Sequence, residues 1–156
     1  MIDFVQLNMK KSYLAAVELG KNTGGNRNSL ICMVTEPYRK EGKVCSIPKG
    51  FRCISSKENA RAAIFWSRDL NVYKVDALSN QDCAVGLTRI DRLNVLIVSV
   101  YLDINLPTIP CWLQRIVSYS NKKKYPIIFG VDTNAHSVLF GPVSYTHLTL
   151  PTIYSV

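Results

Sequence analysis

The sequence lacks the features that mark membrane-spanning, secreted or metal-thiolate proteins. Its longest apolar run covers residues 95–102 and is interrupted by Ser99, whereas a helix that crosses a bilayer needs about 20 apolar residues. The N-terminus reads MIDFVQLNMKK, with Asp3 near its start and no apolar segment after a basic one, so no secretory signal is expected. The cysteines are odd in number and form no Cys-x-x-Cys pair. Reduced, mostly buried thiols are therefore favoured over disulfides or zinc, and we predict an intracellular protein without a membrane partner.

Acidic residues are also scarce relative to basic ones. The 156 residues include 19 Lys and Arg against 11 Asp and Glu, which gives a formal net charge of +8. Hydrophobic residues make up 47% of the chain, as in globular proteins, and the length suits one domain. A basic surface of this size is consistent with an acidic partner such as nucleic acid.

Hydrophobic patterning predicts an α/β domain. Residues 10–21 and 107–120 have the periodicity of helices, and Ser12 is placed to cap the first of them. The run at residues 94–101 is apolar at nearly every position, which predicts a strand covered on both faces. A basic loop is expected over residues 38–57, with a short strand inside it at 51–54. Further strands are predicted at residues 3–7, 30–34, 61–66, 72–75, 84–89 and 125–131.

The last fourteen residues differ abruptly in composition from the rest. Residues 143–156 (VSYTHLTLPTIYSV) carry no formal charge, whereas the preceding residues carry thirty. The segment is similar to translated adaptor or vector sequence at the end of a truncated reading frame. We therefore predict a partial domain over residues 1–142 and a non-native tail over 143–156.

Polar residues follow four of the predicted buried strands. Asn8, Glu36, Tyr101 and Asp132 each stand at such a strand end, and Asn134 follows two residues after Asp132. Ligands of open α/β sheets collect at strand ends, so these side chains are expected at one edge of the sheet. A carboxylate such as Glu36 suits Mg²⁺, Asp132 suits the activation of a water, and Tyr101 suits donation to a phosphate oxygen. The set fits metal-assisted hydrolysis of a phosphoester.

An ordinary structural explanation of the same residues stays open at this point. Loops begin where buried strands end, and loops are polar. The Asp132-Thr133-Asn134 segment is compatible with an Asx turn, and Glu36-Pro37 with a simple strand stop in which Pro37 holds Glu36 extended.

The sequences at these strand ends resemble those of one family. QLN at 6–8, TEPY at 35–38, SVYLD at 99–103 and GVDTNAHS at 130–137 followed by LFG are similar to the apurinic/apyrimidinic-type endonuclease domain of non-LTR (LINE-like) retrotransposons. IPKG at 47–50 and RAAI at 61–64 fit the same type. The family belongs to the endonuclease/exonuclease/phosphatase superfamily, which includes DNase I. The resemblance covers residues 1–142.

The resemblance implies a fold, an activity and a role for each matching residue. The fold is a four-layer sandwich of two mixed β-sheets flanked by helices, here incomplete at the C-terminus. The activity is Mg²⁺-dependent (or Mn²⁺-dependent) nicking of target DNA, which primes reverse transcription by a downstream reverse transcriptase domain, in the nucleus when the DNA is chromosomal. The matching residues are Asn8 and Glu36 at the metal, Tyr101 at the scissile phosphate, and Asp132 and Asn134 at the attacking water and the phosphate.

Two departures from the family pattern bear on activity. Val131 separates Gly130 from Asp132, where the family has Gly-Asp directly. The family's closing Ser-Asp-His motif has no match, since the histidines are His136, inside the NAHS block, and His147, in the predicted tail. The chain as written is therefore expected to be inactive or nearly so.

The basic residues of the 38–57 loop are candidates for contacts with DNA phosphates. Two other functions stay open beside the endonuclease: a related phosphoesterase of the same superfamily, and a non-catalytic DNA-binding or relic domain. The candidate DNA-binding residues are Arg39, Lys40, Lys43 and Lys49.

Overall fold

Two mixed β-sheets pack face to face and carry one helix on each outer side, which confirms the predicted four-layer α/β sandwich. The computed structural model describes residues 1–23, 29–103, 105, 109–133 and the backbone of 154–155. The elements in chain order are β1 (Ile2–Asn8), α1 (Tyr13–Thr23), β2 (Ser29–Thr35), β3 (Arg39–Lys40), β4 (Lys43–Val44), β5 (Phe51–Ser55), β6 (Ala62–Ser67), β7 (Val72–Lys74), a 3₁₀ turn (Asp76–Leu78), β8 (Cys83–Ile90), β9 (Leu93–Tyr101), α2 (Cys111–Lys123), β10 (Ile127–Asp132) and β11 (Tyr154–Ser155).

Each sheet contains one parallel pair of strands. The first sheet has the order β11-β1-β2-β6-β5, and the second has the order β10-β9-β8-β7. β1 pairs with β2 in parallel, as β10 does with β9, and the other pairs in both sheets are antiparallel. β11, in the predicted tail, pairs its backbone with Asp3 and Phe4 of β1, and the rest of residues 143–156 lies outside the described residues.

The core between the sheets is formed by alternate residues of the facing strands. Ile31 and Ile64 of the first sheet and Ile97 of the second are fully buried in this layer. The intervening residues of β9, Leu96 and Val98, are equally buried because α2 covers the outer face of the second sheet. This double burial confirms the strand that the continuous apolar run predicts.

The helices cover the outer faces through short apolar stripes. In α1, Ala16 and Leu19 pack against the first sheet, and in α2 the buried Ile116 packs against the second. The Ser12 hydroxyl accepts a hydrogen bond from the backbone N–H of Ala15 at 3.3 Å, which is the predicted helix cap. Neither helix in the described ranges is long and apolar enough to cross a membrane.

Three local features differ from the sequence expectations or refine them. The second helix begins at Cys111, because Pro110 is extended with a ψ of 140°, and not at residue 107. The 38–57 loop contains a hairpin, β3–β4, that was not predicted. All five cysteines are unpaired, and burial raises the pKa of the Cys32, Cys53 and Cys83 thiols to about 12, whereas Cys111 is exposed.

The close approach of the two sheets next to the strand ends depends on Gly130. A Cβ added at this residue of β10 stands 2.6 Å from the Cβ of Met33 and 2.9 Å from its sulfur. Because the Met33 Cβ is fixed to the backbone of β2, the sheets must separate to admit a methyl group. Gly130→Ala is expected to lower the free energy of unfolding by roughly 1–3 kcal/mol, as measured by urea denaturation.

Gly20→Ala is the matched control for this substitution. Gly20 lies within α1, and a Cβ there meets only the Pro48 Cβ, at the ordinary contact distance of 3.8 Å. The control variant is expected to be as stable as the parent or about 0.5–1 kcal/mol more stable. Equal stabilities of the two variants contradict the assigned role of Gly130.

Candidate functional site

The ends of four strands from both sheets meet at one edge of the sandwich. In the first sheet Asn8, the last residue of β1, lies opposite Thr35, the last residue of β2. In the second sheet Asp132 of β10 lies opposite Tyr101 of β9. Since both pairs are parallel, each places its two carboxyl ends at the same edge of its sheet. The expectation that these polar residues share an edge therefore agrees with the geometry.

A hydrogen bond across the sheets joins the two halves of this edge. The Asn8 Nδ2 donates to Asp132 Oδ2 at 2.6 Å, and the Thr35 hydroxyl donates to the same oxygen at 3.2 Å. The Asn8 Oδ1 accepts the backbone N–H of Lys10 at 2.7 Å, so the amide is held at both ends. Two residues earlier in β1, Gln6 Nε2 donates to the Val131 carbonyl at 2.6 Å. The orientation of the Asp132 carboxylate is thus set from the opposite sheet.

Glu36 adopts a left-handed backbone conformation, with a φ of 45°. The expectation that Pro37 keeps it extended is wrong, because two long-range hydrogen bonds fix this residue. Its N–H donates to the Arg61 carbonyl at 2.8 Å, and its carbonyl accepts the N–H of Lys11 at 2.8 Å. A non-glycine residue held in this region stores strain, and such strain clusters at functional sites. The tight turn presents the Glu36 side chain at the strand-end edge.

Arg61 connects Tyr101 to two carboxylates. Its guanidinium carbon lies 4.9 Å from the centroid of the Tyr101 ring. Nε and Nη2 donate to the two carboxylate oxygens of Asp82 at 2.5 and 2.7 Å, and Nη1 donates to Asp103 at 2.8 Å. The Asp82 carbonyl in turn accepts the Tyr101 N–H at 2.9 Å. The phenol ring is therefore bordered by a guanidinium that is itself fixed.

The surroundings of Tyr101 keep its phenol protonated at neutral pH. Partial burial raises its pKa above the ordinary value, and the neighbouring Glu36 carboxylate raises it further. Asp103 and Asp132 act in the same direction, whereas Arg61 lowers the pKa. A protonated phenol at this edge can donate a hydrogen bond to an oxyanion. Glu36 itself lies 3.9 Å from the Lys11 ammonium, in a partly exposed pair.

The described residues include four of the five predicted catalytic residues, and all four are at this edge. Asn134 lies outside the described residues, as do His136 and His147. Within the described ranges, no three His, Cys, Asp or Glu side chains are grouped to hold a metal ion. The donors that meet here are carboxylate and amide oxygens, however, and Mg²⁺ is commonly held by one or two carboxylates together with waters and substrate phosphate. The donor chemistry therefore fits a magnesium site built on Glu36.

A basic hairpin follows Glu36 in the chain. β3 and β4 are joined by Glu41-Gly42, both with positive φ, as a two-residue hairpin turn requires. The Tyr38 ring contacts the Tyr13 ring edge to face at 5.4 Å, which ties the hairpin's base to α1. Lys40 and Lys43 are exposed and Arg39 is partly so. The hairpin therefore presents three cations, three to seven residues after Glu36 in the chain.

Lys49 is separated from this group. It precedes β5, whose first residue Phe51 pairs with Ser67, the last residue of β6. The end of β2 beside Glu36 pairs instead with Ala62, at the start of β6. Lys49 thus lies at the opposite end of the first sheet from the strand-end site.

Sequence reasoning did not assign roles to several residues that surround the site. Three of them belong to the motifs that carry the resemblance: Thr35 in TEPY, Arg61 in RAAI and Asp103 in SVYLD. A lysine pair directly follows QLN and Met9. No motif pointed to Asp82. The residues that were missed are Lys10, Lys11, Thr35, Arg61, Asp82 and Asp103.

Two mixed sheets between helices, with polar strand ends meeting at one edge, define a DNase I-like α/β sandwich. No protein-family model and no curated protein sequence matches the chain. Among solved structures it is similar to the "Endonuclease domain of TRAS1, a telomere-specific non-LTR retrotransposon", with a TM-score of 0.70 and 26% sequence identity. The match covers 90% of this chain but only 63% of that domain. The resemblance to non-LTR retrotransposon endonucleases is thereby confirmed for a chain that spans less than two thirds of its neighbour.

Proposed function

We propose that the chain is part of a Mg²⁺-dependent endonuclease that nicks DNA by hydrolysing a phosphodiester. One observation carries the proposal: Asn8 of one sheet and Asp132 of the other are hydrogen-bonded at 2.6 Å at an edge that also holds Glu36 and Tyr101. The similarity to a retrotransposon endonuclease domain supports this choice of activity.

Each residue has a role that follows from its surroundings. Asp132, oriented by Asn8 and Thr35, is suited to hold and deprotonate the attacking water. The protonated Tyr101 phenol is suited to donate to the scissile phosphate as negative charge builds on its oxygens. Asn134, outside the described residues, keeps its predicted role at the phosphate.

Glu36 is the residue that we propose as the main metal ligand. Bound there, Mg²⁺ supplies charge neutralisation at the phosphate, and Mn²⁺ is expected to substitute for it. Asn8 was also predicted at the metal. Because the Asn8 Oδ1 accepts the Lys10 N–H and its Nδ2 donates to Asp132, we propose that its main role is to orient the Asp132 carboxylate.

The biological setting extends the same proposal. Nicking would supply the 3′-hydroxyl that primes reverse transcription at the target, with the endonuclease joined to a downstream reverse transcriptase domain in the full-length protein. Such a protein acts in the nucleus when its substrate is chromosomal DNA. Residues 1–142 form the endonuclease part, and we propose that the uncharged segment 143–156 is not native to it.

Conversion of supercoiled plasmid to open circles tests the function. The assay compares the chain as written with a form that carries the genomic continuation after Pro142, each with Mg²⁺ and with chelator. We expect the chain as written to stay near the chelated background because it has no Ser-Asp-His motif. The extended form is expected to nick with Mg²⁺.

Other outcomes of the assay separate the alternatives. Nicking by the chain as written, abolished by Glu36→Ala, supports the function and refutes its predicted inactivity. Salt-sensitive DNA binding without nicking in the extended form indicates a non-catalytic remnant. Faster hydrolysis of small phosphoesters than of plasmid indicates a related phosphoesterase.

A further inference from the structure

We propose that Arg61 is a positioning residue for Tyr101: its guanidinium, locked by Asp82 and Asp103, holds the phenol ring in place at the strand-end site. The proposal rests on the proposed function only for the contact between Tyr101 and DNA. The clamp itself is defined by the geometry of the free protein.

The guanidinium has almost no freedom to leave the ring. Three of its nitrogens donate to carboxylates, two of them in a bidentate pair with Asp82 at 2.5 and 2.7 Å. A bidentate pair fixes the plane of the guanidinium as well as its position. With the guanidinium carbon 4.9 Å from the ring centroid, the fixed cation attracts the electron-rich face of Tyr101.

The backbone around Arg61 connects the same residues a second time. Its carbonyl accepts the Glu36 N–H, and its own N–H donates to the Gln81 carbonyl at 2.7 Å. Asp82 accepts the Arg61 side chain through its carboxylate and the Tyr101 N–H through its carbonyl. One residue of the first sheet's edge thus places Glu36 by its main chain and Tyr101 by its side chain.

Charge alone does not account for this arrangement. Arg61 faces the carboxylates of Asp82 and Asp103, and Tyr101 also faces those of Glu36 and Asp132. Arg61 does not balance these four carboxylates, even with the Lys11 ammonium 3.9 Å from Glu36, so the value of Arg61 lies in where it holds its neighbours. Lysine has a point charge and lacks the planar, bidentate guanidinium, so it should restore the position of the Tyr101 ring only in part.

Nuclear magnetic resonance of the uniformly labelled chain tests the clamp without DNA or metal. The parent is expected to give nuclear Overhauser contacts between the Arg61 side chain and the Tyr101 ring. Arg61→Gln should lose them and shift the ring resonances, and Arg61→Lys should recover part of that shift. Arg68→Gln is the matched control: Arg68 is exposed and follows the other end of β6, so the ring resonances should stay unchanged.

Asp82→Asn keeps the experiment decisive if Arg61→Gln does not fold. This substitution removes the negative charge of the side chain but retains the backbone carbonyl that accepts the Tyr101 N–H. The ring resonances should then move towards those expected for Arg61→Gln. Unchanged ring resonances in the folded Arg61→Gln variant, or in Asp82→Asn when only that variant folds, overturn the proposal.

Adding duplex DNA to the parent separates this inference from the proposed function. A response of the Tyr101 ring to DNA that is smaller in Arg61→Lys supports positioning for substrate. If the Tyr101 ring of the parent contacts Arg61 but its resonances do not change on addition of DNA, the positioning by Arg61 is supported and the role of Tyr101 in the proposed function is contradicted.

Discussion

Replacing Glu36 with glutamine is expected to weaken Mg²⁺ binding at the strand-end site by at least about 100-fold, because the substitution removes the charged oxygen donor. Glutamine has the same shape, and the backbone hydrogen bonds from Lys11 and to Arg61 are retained. The fold should therefore survive. Mn²⁺, as a paramagnetic substitute, should broaden the amide resonances of Thr35 and Leu102 in the parent and leave them sharp in the variant.

Asp91→Asn is the control for the loss of one negative charge. Asp91 is exposed in the turn between β8 and β9, at the end of β9 away from Tyr101. It should leave Mn²⁺ broadening as in the parent. Broadening that persists in Glu36→Gln, or that never centres on these strand ends, contradicts the assignment of Glu36 as metal ligand.

Neutralising the β3–β4 hairpin is expected to have the second large effect. If each cation of the triple variant Arg39→Gln, Lys40→Gln and Lys43→Gln contacts one phosphate, the salt slope of duplex DNA binding should fall by about 3. Affinity at ~0.1 M salt should fall roughly 100- to 500-fold, since each lost contact forfeits the release of about 0.9 counterion. Fluorescence anisotropy across a salt series measures both quantities.

Lys49→Gln provides the comparison within the same basic segment. Sequence reasoning grouped Lys49 with the hairpin cations, but it lies at the opposite end of the first sheet. DNA bound over the strand-end site should be affected less than about twofold by this substitution, given a screening length of about 10 Å at that salt. A loss as large as that of the triple variant indicates that DNA crosses a different surface.

The layers of the fold could be predicted because they depend on patterns that are local in sequence. The continuous apolar run of β9 indicated a strand covered on both faces, and Ile116 in α2 provides one cover. Polar residues after buried strands indicated a shared edge, since parallel strands end together. This rule accounts for Asn8 beside Thr35 in the first sheet and for Asp132 beside Tyr101 in the second. It does not account for the bond between Asn8 and Asp132, which depends on how the two sheets pack.

The missed features depend on partners that are distant in sequence. The φ of Glu36 is set by hydrogen bonds with Lys11 and Arg61, and these override the local influence of Pro37. The hairpin strands have two residues each, too few for a period to be visible. Arg61 draws its two carboxylates from separate loops, so the RAAI motif gave no indication of its partners.

The hydrogen bond between Asn8 and Asp132 also bears on the order in which the residues of the site are synthesised and can come together. Its two residues are 124 positions apart, so the first half of the edge is made long before the second. During synthesis β1 can pair with β2 and β2 with β6, but the Asp132 carboxylate is added only when β10 is complete. Contacts between residues so distant in sequence form more slowly than local ones. A nascent chain therefore holds the β3–β4 hairpin and Glu36 well before it holds Asp132, and the strand-end edge is complete only when β10 has joined the second sheet.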